Sequence, residues 1–206
     1  MPSRTPTPRT TDATEFEHTI RAGGVAVFPA DTVYGLACDP EQQPAVDRLY
    51  ALKGRAPDKP AAVMFFDPDR ARAALPELGP SIRTAMSRLL PGPVTLLLPN
   101  PGHRFPLACG PDPGTLGLRV PDLPRLSATS VAVLQSSANH AGGADARRLD
   151  EVPADIRRGA DLVLDGGELP GTPSTVIDLR RYEEAREWNV LRSGAMAPEA
   201  IATVLG

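Results

Sequence analysis

Arginine supplies almost all of the positive charge in this chain: of 22 lysines and arginines, only Lys53 and Lys59 are lysines. They lie six residues apart, with Arg55 between them. An ammonium is a compact point charge and a guanidinium a planar fork, and the two do not substitute for one another. A segment that keeps two ammonium groups beside an arginine suits a small anion such as a phosphate. Three more clusters combine groups that could bind or orient a substrate: Asp31-Thr32-Val33-Tyr34-Gly35, Ser136-Ser137-Ala138-Asn139, and Ser174-Thr175 with the later Arg192-Ser193-Gly194. Arg119 interrupts the apolar run LGLRV. Each also has a structural reading. DTVYG can be a turn with a packed tyrosine, KGR a helix C-terminus whose cations complement the helix dipole, and SSAN a helix N-cap. Arg119 can be an edge residue paired to a carboxylate, and RSGA a turn.

The surrounding pattern must position these clusters. Residues 1–12 lack periodicity and read as a mobile tail. Asp12 and Glu15 suggest a capping-box start for a helix that carries Phe16 and Ile20 and stops at Gly23-Gly24. Val25–Phe28 reads as a buried strand, and PADTVYGL as the loop after it. A helix is expected over 44–53, with proline in its first turn, and a strand over 61–66. Two helices follow, one capped by Asp67 and running to about Leu78, the other over 80–90. Strands are expected at 94–98, 116–120 and 131–135, with loops at 99–114 and at SSAN. A helix within 150–159, strands at 161–165, 174–179 and 187–192, and a final helix from Pro198 complete the pattern. Strands alternating with helices indicate α/β. The late strands lack helices between them, which makes the sheet mixed. Ligands of such sheets bind at strand ends.

Composition excludes several classes. A net charge of −3 gives no overall basic field for a nucleic-acid backbone. No apolar run reaches the roughly 20 residues of a membrane helix, and the N-terminus lacks the apolar core of a secretory signal. Cys38 and Cys109 have no paired spacing, and His18, His103 and His140 are scattered, so neither a disulfide framework nor a zinc site is visible. A reducing cytoplasm is the expected setting.

In order along the chain stand PADTVYGLACDP, LYALKGRAPDKP, PGPVT, LGLRVP, SSAN, PSTVIDL and LRSGA. Together they resemble the signature segments of the YrdC/TsaC family, including its Lys-x-Arg and Ser-x-Asn hallmark, over about residues 14–205. The resemblance implies a single YrdC-like domain over 13–206, a twisted mixed sheet with helices around a large concave cavity. It implies an L-threonylcarbamoyladenylate synthase, a nucleotidyltransferase that converts L-threonine, bicarbonate and ATP with Mg²⁺ into threonylcarbamoyl-AMP and pyrophosphate. A partner complex would then carry the threonylcarbamoyl group to tRNA. By the same resemblance, Thr32 and Arg119 hold threonine, and Ser137 and Ser174 line the threonine and carbamate region. Lys53, Arg55, Lys59, Thr115, Asn139 and Arg192 surround the nucleotide, with Lys53 and Arg55 the catalytic cations. Three departures stand out: Lys59 where many relatives carry asparagine, Met64 in place of a polar residue, and GGADARR, with Arg147, in place of a Ser/Thr-Pro-Thr-like stretch. The alternatives are an RNA-binding module of the same fold, and a relative that adenylates carbamate itself.

Overall fold

A computed structural model describes residues 10–206. The elements are α1 (Thr10–Arg21), β1 (Ala26–Pro29), β2 (Tyr34–Cys38), α2 (Gln43–Lys53), β3 (Ala62–Met64), α3 (Pro68–Ala74), α4 (Pro80–Leu89), β4 (Val94–Pro99), α5 (Pro106–Cys109), β5 (Thr115–Arg119), β6 (Val133–Ser137), α6 (Ala154–Gly159), β7 (Leu162–Val163), β8 (Thr175–Asp178), α7 (Tyr182–Ala185), β9 (Asn189–Arg192) and α8 (Pro198–Leu205). The strands form one mixed sheet in the order β7-β1-β2-β6-β3-β5-β4-β8-β9. β1–β7, β3–β5 and β4–β8 are parallel pairs, and the other pairs are antiparallel.

Local chemistry sets the ends of the helices. Asp67 caps α3 by accepting a hydrogen bond from the Arg70 amide, and Pro68 occupies the first turn. α2 ends at Gly54, whose left-handed conformation (φ 58°) lets the Arg55 amide turn back to the Tyr50 carbonyl at 2.9 Å. KGR is thus a helix C-terminus, and the turn throws Arg55 off the helix axis.

Alternation along the strands divides the sheet into two unlike faces. One face carries Tyr34, Leu36, Val63, Leu96, Leu98, Leu116, Leu118, Leu134 and Ile177 in the main core. The residues between them on the other face are Gly35, Ala37, Ala62, Met64, Thr95, Gly117, Arg119, Val133, Gln135, Ser137 and Val176. At one end α1 covers this second face. Phe16 packs on Phe28 and Phe66 with ring centroids 5.3 and 5.5 Å apart, and Met64 and Val133 join that smaller core. Beyond it the face holds only small and polar side chains, and a cavity opens there.

Several expectations change. α1 begins at Thr10, so residues 10–12 are helical, while the rest of the expected tail lies outside the described residues. Asp12 is therefore inside the first turn, and its carboxylate accepts from Arg125 at 2.6 Å. PADTVYGL is not one loop. Residues 30–33 form the tip of a hairpin, and Tyr34–Cys38 is a strand paired with β1. Ser136 and Ser137 end β6 instead of starting a loop. Met64 lies in the α1 core, fully buried. α5 is a short helix inside the segment read as a loop, and α7 a short helix between two late strands that were read as having none between them.

Candidate active site

The cavity has a volume of about 210 Å³. Its floor is the open part of the second sheet face: Ala62 from β3, Thr95 from β4, Arg119 from β5, Gln135 to Ser137 from β6 and Val176 from β8. Its walls are the β1–β2 hairpin tip with Thr32, the turn after α2 with Arg55, Asp145, Ser174 before β8, and Arg192 at the end of β9. Six of the sequence candidates thus converge: Thr32, Arg55, Arg119, Ser137, Ser174 and Arg192.

Arg119 is 4% exposed in its side chain and pairs with Asp31 at 2.6 Å. Its Nη1 donates to Gln135 Oε1 at 3.3 Å, while Nε has no partner. Burial pushes the Arg119 guanidinium down and Asp31 holds it up. The Thr32 hydroxyl is likewise buried and unpartnered. Ser174 is tied at the opposite wall: its hydroxyl meets Thr95 Oγ1 at 2.8 Å, and Arg192 Nη2 donates to the Ser174 carbonyl at 2.7 Å. Arg55 donates to the Pro60 carbonyl at 2.6 Å and lies over the Tyr50 ring, 5.8 Å from its centroid. Three guanidinium groups face Asp145 in the lining and Asp31 behind it, which leaves a positive excess suited to an anionic ligand.

Lys53 takes a different place from the one expected. It is 2% exposed and does not line the cavity. Its three ammonium protons are directed at the Ser137 carbonyl, the Asn139 carbonyl (2.8 Å) and Asn139 Oδ1 (2.9 Å). A buried ammonium must spend its donors, and these acceptors consume them. Asn139 also accepts from the Ser137 hydroxyl at 2.7 Å and donates to the Gly143 carbonyl at 2.6 Å. The Lys-x-Arg and Ser-x-Asn segments are therefore one hydrogen-bonded unit, with Arg55 and Ser137 at its cavity side. Lys59 is exposed and Thr115 half-buried, its hydroxyl donating to Asp112 at 2.6 Å; neither lines the cavity. Arg147 is exposed and pairs with Glu168 at 2.8 Å.

Sequence reasoning named Asp31 within its cluster without giving it a role, and missed Thr95, Gln135, Asp145 and Val176. Strict alternation in TLGLR, with Leu116 and Leu118 inward, places Arg119 and Gly117 on the second face. The same parity applied to VTLLL and VLQSS would have found Thr95 and Gln135.

The family model Sua5_yciO_yrdC, described as Telomere recombination, matches residues 18–194. The chain belongs to the Sua5/YciO/YrdC family. A threonylcarbamoyl-AMP synthase of Chromohalobacter salexigens is 35% identical over 173 residues, 81% of this chain and 92% of that protein. The enzyme of the same name from Pseudomonas fluorescens is 37% identical over 166 residues, 78% and 88% of the two chains. The crystal structure of P. abyssi Sua5 complexed with L-threonine superposes with a TM-score of 0.84 at 28% identity, over 96% of this chain and 58% of that one. This Sua5/YciO/YrdC chain thus spans a little over half of the P. abyssi protein. E. coli YciO shares the fold (TM-score 0.77, 22% identity, 95% of each chain).

Proposed function

We propose that this Sua5/YciO/YrdC chain is an L-threonylcarbamoyl-AMP synthase, which forms threonylcarbamoyl-AMP and pyrophosphate from L-threonine, bicarbonate and ATP. The observation that carries the reading is the convergence of Thr32, Arg55, Arg119, Ser137, Ser174 and Arg192 on one cavity of about 210 Å³. Threonine's amine and bicarbonate yield a carbamate and water. A carbamate oxygen then attacks the α-phosphorus of ATP, and the bond to the bridging oxygen breaks with release of pyrophosphate. The nucleophile is already an anion, so the task is to bring anions together.

The Arg119 fork receives the amino-acid carboxylate, next to Thr32. Ser137 and Ser174 face the carbamate. Arg55, half-buried, and Arg192, at the exposed rim, neutralise the phosphates through charge-assisted contacts. Asn139 and Lys53 hold the Ser137 segment in place. Lys59 and Thr115 would meet only those parts of the nucleotide that extend beyond the cavity. No group of three or more metal-ligating side chains occurs among the described residues. The metal enters with the ATP phosphates as part of the substrate. No helix among the described residues is long and apolar enough to cross a membrane. The product would pass to a tRNA-modifying complex in the cytoplasm.

The test is to incubate the protein with ATP, Mg²⁺ and bicarbonate, vary the amino acid, and identify the adenylate by mass spectrometry. A threonine- and bicarbonate-dependent threonylcarbamoyl-AMP is expected. Absence of any adenylate, with intact ATP, would reject the reading.

A further inference from the structure

Among the described residues Asp31 is the one carboxylate that pairs with Arg119, and it does so from outside the cavity lining. It stands on the hairpin tip between β1 and β2, its side chain 9% exposed and Oδ1 2.6 Å from Arg119 Nη2. Its other oxygen, Oδ2, is buried without a hydrogen-bond partner. Next to it in sequence, the Thr32 hydroxyl is also unpartnered, and so is Arg119 Nε. Three orphaned polar atoms around one buried ion pair are costly, because each loses its hydration without replacement. Such a cluster stands ready for a ligand that offers both donors and acceptors.

With the cavity empty, Asp31 offsets the charge of a guanidinium whose burial is costly. When an amino acid brings its own carboxylate to the free edge of the Arg119 fork, one cation faces two anions in a shielded place. The other charges near the pair are Asp122, after β5, which acts against the Asp31 anion, and Arg192, which acts against the Arg119 cation. Burial outweighs the guanidinium in pushing the Asp31 carboxyl above its ordinary value.

Building on the amino-acid reading of this cavity, we propose that Asp31 is a positioning residue, the resting counter-ion of Arg119, which fixes the fork by Nη2 and competes with the substrate carboxylate for its charge. The competition weakens amino-acid binding while leaving the fork correctly aimed. Asp31→Asn keeps an oxygen for Nη2 and removes the opposing charge. By calorimetry on the full chain with L-threonine alone, Asp31→Asn should bind roughly tenfold more tightly than wild type, the effect of removing one like charge at close range in a shielded site. Threoninamide, which lacks the carboxylate, should bind both proteins with affinities equal within about threefold, and ATP likewise. A purely structural role would not produce this split between threonine and threoninamide. Unchanged or weaker threonine binding by Asp31→Asn overturns the proposal. So does failure of the variant to fold, which would make Asp31 a structural partner only. If wild type itself does not bind threonine, the amino-acid reading of the cavity fails instead, and the two failures are distinct.

Discussion

Burial, followed by the nearby Arg55 guanidinium, pushes the Lys53 ammonium down to about 8, with Asp145 pulling the other way. Three acceptors surround this nitrogen, and a neutral amine can serve only two of them. We expect pyrophosphate formation to fall as pH rises through about 8, when the Ser137–Asn139 unit loses one tie. The sign of the stability effect is opposite. The folded value lies below the ordinary 10.5, so between about 8 and 10.5 the unfolded chain binds more protons, and this group adds stability as pH rises. A rate that falls while Tm holds therefore separates loss of the tie from unfolding. Lys53→Met should remove this alkaline limb and lower kcat more than tenfold; a persisting limb would assign it to another group. The sequence singled out Lys53 and Lys59 together as cations for a phosphate, because the string of residues shows charge and not burial. Only the fold separates a lysine that is 2% exposed from one on the surface.

At the scale of elements, the closing wall depends on how near β9 comes to the start of β8. A Cβ on Gly194 would lie 2.3 Å from the Pro173 carbonyl oxygen and 2.6 Å from the Thr175 nitrogen. Backbone cannot yield as a flexible side chain does, so Gly194→Ala must push the β9 end outward and take Arg192 away from Ser174. Overpacking of this kind costs about 1–3 kcal/mol. We expect a lowered Tm and a kcat/KM for ATP reduced at least tenfold, measured by pyrophosphate release. The glycine was legible as part of RSGA, but the reason for it was not, since the approach joins segments some twenty residues apart. β2 escaped the sequence reading for a related reason. Tyr34–Cys38 is buried on both faces, so it lacks the apolar–polar alternation that marks a half-exposed strand, and its Asp31-Thr32 flank looks like a turn. By contrast β5 alternates cleanly, and proline punctuates the starts of α2, α3, α4 and α8, which made those boundaries readable.

On the scale of the whole molecule, one sheet has two jobs. One face is closed by the main core. The other is closed by α1 over Phe28, Met64 and Phe66 and left open over Ala62, Thr95 and Gln135. The opening exists because the floor residues are small or polar. Ala62→Leu should fill it: Tm should change little, since the site is open space and not packed core, while turnover drops at least tenfold. A Tm falling sharply with activity would place Ala62 in the core instead. The mixed α/β class and most of the order of strands and helices followed from periodicity, with β2, α5 and α7 the exceptions. The partition of the second face into core and cavity did not, because it depends on where α1 lies across the sheet. The most direct measurement concerns the floor's one buried cation. Arg119→Ala, assayed for threonine- and bicarbonate-dependent pyrophosphate release, removes the proposed charge-assisted contact to the amino-acid carboxylate, a kind of contact worth about 1.5–3 kcal/mol. The threonine KM should rise at least tenfold with the ATP KM unchanged within about twofold. An unchanged threonine KM with a raised ATP KM would contradict the placement of the amino acid, and with it this reading of the cavity.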